Sequence, residues 1–406
     1  MAYHVKMRNA PMIHADDRPY RKLQQHLNRQ PIGFPPSRTG ADIRLLKHIF
    51  SPDEARIAIC LTHIPEPLDI IYSRAEPLVA TRDALETCLA SMVKKGGIEI
   101  TKHDRQTRYA NAPLVVGMYE LQLGRLTPEF IEDFKAYTSE KRYGISFLTG
   151  KHSQMRTIPV HQSITPQVPV ADYDRILCLL EKSNPPFVIL PCICRKKKAL
   201  QGEVCQQTDR KETCMALGNI AHTVIEMGIG RQISRQAAIR TIQENQKDGL
   251  VLQPANSREI DFLCSCCGCC CSMLGLQKEL PLPLDFWDTN FKAALDSETC
   301  VGCGTCIKQC QTNAMTIETD KEQRSKAVVN QHRCIGCGHC VTGCPVNALT
   351  LIPRKHQVQP PENRHELNAI LLKEKQHMLA PVKVIGKLAK GIAVTRDLRL
   401  LQNASP

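Results

Sequence analysis

CVGCGTCIKQC (300–310) and CIGCGHCVTGCP (334–345) carry one pattern twice, offset by 34 residues. Each copy reads C-x2-C-x2-C-x3-C. The likeness runs on past the cysteines, where NAMTI (313–317) aligns with NALTL (347–351). Thiolates at these steps suit a cubane iron–sulfur cluster, because three line one short loop and the fourth reaches away. Structural zinc is satisfied by two close pairs, so two quartets at this spacing exceed what zinc needs. A reduced, metal-free cysteine loop is the bland alternative, and it has no use for such regularity.

On these motifs, residues 294–353 resemble a bacterial-type ferredoxin with two 4Fe–4S clusters. The resemblance implies that Cys300, Cys303 and Cys306 hold the first cluster together with Cys344. It implies equally that Cys334, Cys337 and Cys340 hold the second together with Cys310. Ligands crossed in this way tie the two halves into one domain that needs metal to fold. The family has proline after the fourth cysteine of each run. Pro345 fits, whereas Gln311 stands at the first such position. That departure bears on the local turn and on hydrogen bonding near Cys310, and leaves the ligand set intact.

A chain of 406 residues has room for two or three domains, and 42% hydrophobic content with only 4% aromatics makes their cores aliphatic. The start MAYHVKMRNAP has no apolar run of the secretory kind, and no stretch of 18 apolar residues is long enough to span a membrane. Without export, 21 cysteines point to a reducing cytoplasm and to metal, not to disulfides. Oxygen-sensitive clusters would suit an anaerobe. The net charge of +13 lies mostly at the ends, +5 in 1–40 and +6 in 354–406. Basic ends on a near-neutral body read as docking arms for an acidic partner or surface, or as solvated tails.

Residues 1–40 read as a basic, proline-rich arm with a short helix near Tyr20–Leu27. From Ala41 to residue 145 the pattern is a set of helices followed by a β-hairpin. Ser51 and Pro52 open one helix, Thr81 caps another, and IEITKHDRQTRYANAPL (98–114) supplies the two strands. This order resembles a winged-helix domain. DNA binding would need a charge surplus to neutralise phosphates, yet 41–150 is net −1. Lys94, Lys95, Lys102, Arg105 and Arg108 make only a small basic wing, so a protein-docking role is the better reading. Cys60, Cys88 and Cys178 lie in apolar helical runs and read as small buried hydrophobes.

A helix over 127–142 leads into the segment 146–290, where a strand is expected at MRTIPVH (155–161) and a helix over 171–183. PFVILPCICRKKK (186–198) reads as a buried strand that delivers Cys192 and Cys194 to its end, with Cys205 and Cys214 following. Ser234 caps a helix, and LVLQ (250–253) returns as a strand. Then comes DFLCSCCGCCCSMLG (261–275), with Cys264, Cys266, Cys267, Cys269, Cys270 and Cys271. A core gains nothing from so many thiols where Val or Ala would pack as well. Eight residues cannot aim six sulfurs at one metal. The region is therefore expected to cooperate with Cys192, Cys194, Cys205 and Cys214 to hold at least one further cluster. The alternative is a redox-active or simply buried cysteine patch. The combination of PCICR, CSCCGCCC and a C-terminal ferredoxin is similar to large ferredoxin-like proteins of anaerobic bacteria. About 8 iron per chain would correspond to two clusters alone, and about 12 to a third.

After Pro353, residues 360–378 carry one helix, and VKVIGKLAKGIAV (382–394) reads as a loose basic tail because Gly386 and Gly391 weaken a helix, with a membrane-surface or partner helix as the alternative. MGIGRQIS (227–234) lacks the third glycine of a phosphate-binding loop, and no HExxH run or Ser-His-Asp set is visible. His222 and His339 read as structural or solvated. The expected class is α+β and multidomain: arm 1–40, winged-helix-like 41–145, cysteine-rich 146–290, two-cluster ferredoxin-like 291–353, and helix with basic tail 354–406. The expected function is relay of single electrons between redox partner proteins, with no catalytic residue for an organic substrate. The competing readings are a cluster-based redox sensor acting on transcription and an electron-transfer subunit of an oxidoreductase complex.

Overall fold

The computed structural model describes residues 15–103, 106–164, 170–319, 321, 323–377 and 379–395. The outermost parts of both basic ends, and Arg105 of the wing, lie outside the described residues. The chain divides into two compact units, Met1–Phe147 and Leu148–Pro406.

The N-terminal unit is a helical layer with a small sheet. Arg18–Asn28 is amphipathic and buries Tyr20, Leu23 and Leu27, and Gln24 Nε2 donates to the Phe34 carbonyl at 2.6 Å. Residues 15–40 are therefore not a free arm. The apolar stripe of that helix outweighs the solubility of its charges, and Phe34 is buried with it. Helices Ala41–Ile49, Pro52–Ala58, Leu68–Ala75 and Arg82–Lys94 follow. Ser51 and Glu54 form a reciprocal capping box: Glu54 N donates to Ser51 Oγ, and Ser51 N donates to Glu54 Oε2 at 2.7 Å. Strands β1 (Glu66–Pro67), β2 (Ile98–His103) and β3 (Gln106–Asn111) form an antiparallel sheet in the order β1-β3-β2. Thr127 caps the helix Pro128–Thr138, which stops short of 142. A separate helix, Lys141–Phe147, closes the unit.

The second unit is built on a five-stranded antiparallel sheet. Its strands are β4 (Phe187–Pro191), β5 (Glu212–Leu217), β6 (Arg231–Ile233), β7 (Val251–Pro254) and β8 (Phe262–Cys266), in the order β6-β4-β5-β8-β7. Helices Gly218–Met227 and Arg235–Lys247 pack on it, the second capped by Ser234. Four further strands follow in sequence. They are β9 (Phe291–Leu295), β10 (Met315–Thr319), β11 (Ser325–Val329) and β12 (Leu349–Pro353), paired as β10-β11 and β12-β9.

Three expectations for this unit fail. MRTIPVH forms only isolated bridges, from Met155, Arg156 and Ile158. Pro159 has no N–H for a ladder, and the buried Arg156 guanidinium turns inward to donate to the Ala255 and Ser257 carbonyls. The helix expected over 171–183 is split, because Arg175 is extended between a short turn at Asp172–Asp174 and the helix Ile176–Lys182. The basic tail is also no loose segment. Ala380–Thr395 is helical and buries Ala380, Val384 and Gly391. A Cβ at Gly391 would lie 3.1 Å from Pro281, so this glycine permits the close approach that anchors the helix. Arg364–Gln376, capped by Asn363, returns to its own unit: Glu374 Oε2 accepts from the Lys151 N–H at 2.7 Å.

Candidate metal centres

The 34-residue repeat of the sequence is a repeat of backbone geometry. Gly302 and Gly336 take φ +66° and +64°, Gly304 and Gly338 +76° and +84°, and Asn313 and Asn347 +56° and +53°. These left-handed turns wrap the cysteine loops. A Cβ at Gly302 would run into the Ser325 carbonyl, and one at Gly336 into the Phe291 carbonyl. Backbone N–H groups aim at the sulfurs in matching pairs. Ala314 N donates to Cys310 Sγ at 3.1 Å and Ala348 N to Cys344 Sγ at 3.3 Å. Ala293 N donates to Cys334 Sγ at 3.3 Å and Ala327 N to Cys300 Sγ at 3.5 Å. Donors of this kind stabilise thiolates and tune the iron they bind.

Cys306 and Cys334 are buried in one apolar cluster with Ala293, Ala314, Met315, Ala327 and Leu349, and Cys300, Cys310, Cys340 and Cys344 pack against it. Cys303 is exposed, 3.4 Å from the Thr305 hydroxyl. Cys337 packs instead with Cys264, Cys266 and Cys271. Burial, with Cys310 and Cys334 close by, pushes the Cys337 thiol up to about 12. Burial likewise raises Cys340, whose neighbours include Cys337, Cys334 and Cys310. Cys310, from the first repeat, thus sits among the cysteines of the second.

In the cysteine-rich segment, the sheet order decides which thiols meet. β4 ends at Pro191, so Cys192 follows it directly and Cys194 falls in the first turn of the helix Ile193–Leu200. Cys214 lies on the neighbouring β5, opposite Leu190, while Cys264 and Cys266 lie on β8, opposite Gln253 and Val251. Strand periodicity puts Cys264 and Cys266 on one face and Ser265 on the other. Ser265 Oγ accepts from Asn245 Nδ2 at 2.8 Å.

Two groups of thiols result. In the first, the sulfurs of Cys205, Cys267, Cys269 and Cys270 all lie within 4.8 Å of one another. Cys205 Sγ is 3.7 Å from Cys267 Sγ and 3.8 Å from Cys269 Sγ, and Cys269 Sγ is 3.6 Å from Cys270 Sγ. Burial opposes ionisation of Cys205. The Gln207 and Thr208 amides, Arg195 and Cys267 outweigh it and bring this thiol down to about 7. Burial takes Cys267 up to about 12 despite Arg195. Four sulfurs at this separation, with one already primed to ionise, fit a metal or an iron–sulfur cluster.

The second group is a closed ring of six side-chain contacts. Cys192 meets Cys194 and Cys214, Cys194 meets Cys271, Cys271 meets Cys266, Cys266 meets Cys264, and Cys264 meets Cys214. Hydrogen bonds from Cys194 and Cys214 hold Cys192 well below the ordinary thiol range. Contact with Cys192, together with burial, pushes Cys194 and Cys214 well above it.

Three residues to which the sequence assigned no site role join these groups. Arg195, buried, lies between the two. Its guanidinium donates to Cys267 Sγ at 3.7 Å, to the Ser265 carbonyl at 3.2 Å and to the Thr213 hydroxyl, and it sits beside Cys192 and Cys214. Gln311 accepts from Gly268 N at 2.7 Å and donates to Gln207 Oε1 at 2.9 Å. The place where the ferredoxin pattern has proline thus ties the loop after Cys310 to the loop between Cys267 and Cys269. His339 is buried and neutral by desolvation, and its Nε2 bonds to the Leu250 carbonyl at 3.0 Å. Leu250 in turn packs on Cys267 and Cys270. Cys60, Cys88 and Cys178 are half-buried and not fully buried as expected. Burial takes the Cys88 thiol up to about 11, as expected of a packing residue.

Residues 293–351 match the family described as a 4Fe–4S dicluster domain. Comparison with curated proteins and with solved structures returned no match. Among the described residues, no helix is long and apolar enough to cross a membrane. A dicluster domain beside a compact cysteine cluster points to iron–sulfur electron transfer.

Proposed function

We propose that this chain relays single electrons between redox partner proteins through two clusters in 291–353 and a further centre in the cysteine-rich segment. In this reading Cys300, Cys303, Cys306 and Cys344 hold one 4Fe–4S cluster, Cys334, Cys337, Cys340 and Cys310 hold the other, and Cys205, Cys267, Cys269 and Cys270 hold the third centre. Such clusters, when bound, supply reversible one-electron chemistry. The residues around them do the rest. Paired Ala amides donate to Cys300, Cys310, Cys334 and Cys344, which lowers the cost of holding thiolates away from water. The aliphatic cluster around Cys306 and Cys334 excludes solvent. The exposed Cys303 marks the edge at which a partner would approach.

One observation carries the proposal. Gly268, flanked by Cys267 and Cys269, donates to the side chain of Gln311, the residue next to Cys310. The loop between Cys267 and Cys269 and the residue after Cys310 are thereby joined by a hydrogen bond, which supports a continuous electron route through both segments. Purification under anaerobic conditions with iron and sulfide tests it. The protein should be coloured, and Cys337→Ala should remove most of one cluster's optical and paramagnetic signal. A colourless protein that takes only zinc, or an unchanged C337A spectrum, defeats the proposal.

The N-terminal unit favours a winged-helix reading, because its helices precede a hairpin in a sheet of order β1-β3-β2. Its charge favours docking to protein over docking to DNA, as 41–150 is net −1. Tight, salt-dependent retention of a DNA duplex by the full chain would reverse that choice in favour of a redox sensor.

A further inference from the structure

The helix Ala380–Thr395 has two sides with different surroundings. Val384 and Gly391 are buried against its own unit, with Gly391 close to Pro281. Lys387 Nζ donates to the Asp285 carbonyl at 2.8 Å and lies 5.1 Å from the centre of the Phe286 ring. At 3.6 residues per turn, Val382, Ile385, Gly386, Ala389 and Ala393 fall on the opposite side, and all five are exposed. Leu379, Val382, Ile385 and Val394 are 51%, 61%, 52% and 58% exposed, whereas elsewhere such side chains are scattered between Ile64 and Ile307. A single exposed aliphatic residue is ordinary, but a strip of them marks a surface that something covers.

Charge says what covers it. The chain has no Asp or Glu between Glu374 and Asp397, while Lys383, Lys387 and Lys390 stand in that stretch. Lys383 and Lys390 are exposed and border the apolar strip on one side. We infer that this face of the helix docks on an anionic lipid surface, with the helix lying along the membrane.

The chemistry of the strip fits lipid better than protein. Val, Ile and Ala can enter the acyl boundary, and the lysine stems can lie along it while their ammonium groups reach the headgroup phosphates. Protein interfaces draw on Trp, Tyr and Arg anchors and on directional hydrogen bonds, and their centres are depleted in Lys. Ala380–Thr395 contains no aromatic residue and no Arg, and the hydroxyl of Thr395 bonds back to the Gly391 carbonyl at 2.8 Å. Acidic side chains, which an anionic surface would repel, are missing from the stretch. The helix spans about 24 Å, short of a hydrocarbon core of about 30 Å, and its other side is held by its own unit. It is therefore placed to rest on a bilayer and not to cross one. The inference stands apart from the assignment of the iron–sulfur centres.

The test uses the full iron-loaded chain, prepared anaerobically, with vesicles of phosphatidylglycerol and phosphatidylcholine, against vesicles of phosphatidylcholine alone. Wild type should float with the anionic vesicles and stay behind with the neutral ones. Lys383→Gln combined with Lys390→Gln should weaken partitioning roughly 30-fold, since each lysine at an anionic surface counts for about fivefold. Val382→Ser combined with Ile385→Ser changes only exposed side chains and should weaken it about tenfold or more. Ile385→Trp reports depth, because the chain's one tryptophan, Trp287, is buried. Its emission should shift to the blue on anionic vesicles. Absence of flotation with anionic vesicles overturns the inference. Equal binding by wild type and V382S/I385S overturns it as well, because the basic ends would then adsorb by charge alone. A dimer that V382S/I385S dissociates, without any vesicle binding, would assign the face to a second copy of the chain instead.

Discussion

Replacing Gln311 with alanine should loosen the cysteine-rich loop without touching any thiol. Gln311 is buried at 7% exposure, and its amide makes two bonds: it accepts from Gly268 N at 2.7 Å and donates to Gln207 Oε1 at 2.9 Å. Leaving the Gly268 amide unmet costs about 1–3 kcal/mol, while the half-buried Gln207 recovers most of its loss from water. The net is about 2 kcal/mol, or roughly 30-fold in the equilibrium for local opening. Amide hydrogen exchange on the iron-loaded protein reads this directly. Peptides spanning 266–272 and 204–210 should exchange roughly 30-fold faster, while the hairpin 98–111 in the other unit keeps its protection. Gln311→Pro makes the sharper comparison. Cys310 has φ −77° and ψ 108°, an extended backbone that accepts a following proline, so the turn survives while both side-chain bonds are lost. If both variants leave exchange across 266–272 at the wild-type rate, Gln311 does not couple the two segments and the argument for a continuous route loses its support.

Three further outcomes follow from the same geometry. Gly302→Ala places a Cβ against the Ser325 backbone at φ +66°, so it should cost about half of the ferredoxin iron and paramagnetic signal; full iron content would show that the loop has room. Stripping iron with a chelator under reductant should abolish exchange protection across 291–353 while the helix Arg82–Lys94 stays protected, and retained protection in 291–353 would refute metal-dependent folding there. His26 is held below its ordinary 6.5 by burial, so the unfolded chain takes up the proton first. Its contribution to stability is complete above about pH 6.5 and is lost as pH falls below that value. Protection of Arg18–Asn28, corrected for intrinsic exchange, should therefore decline from pH 7 to 5, and His26→Gln should flatten the decline. A flat wild-type profile refutes it.

What could be read from the sequence was whatever repeats or follows a local rule. The 34-residue offset of Cys300 and Cys334 reappears in the paired glycine turns, which obey local geometry, and in the strands β9 and β11, and β10 and β12, which stand 34 residues apart. Ser51, Thr81, Thr127 and Ser234 all cap helices through their own side chains, which is local chemistry again. Readings based on propensity alone fared worse. Gly386 and Gly391 argued for a loose tail, yet Gly391 is the point where the helix presses on Pro281. The strand expected at 155–161 was undone by Arg156, whose carbonyl partners at 255 and 257 lie about a hundred residues away. Such partners leave no mark within a local window.

The cysteine-rich segment shows where the boundary lies. That six sulfurs in eight residues cannot share one metal follows from chain length, but which of them part company depends on strand order. Cys264 and Cys266 stand two apart, as a strand face requires, and Cys267 breaks the alternation. That much of the division was present in the letters C-S-C-C. The partners were not. Cys214 reaches Cys264 only because β5 lies beside β8, and Cys192 reaches Cys214 only because β4 lies on the far side of β5. Had the order been β5-β4-β8, Cys192 would stand between the other two strands and the loop of six contacts would not close in this way. The grouping of these thiols is therefore a property of the sheet, and Arg195, one residue beyond Cys194, gains its place between two thiol groups from the same topology.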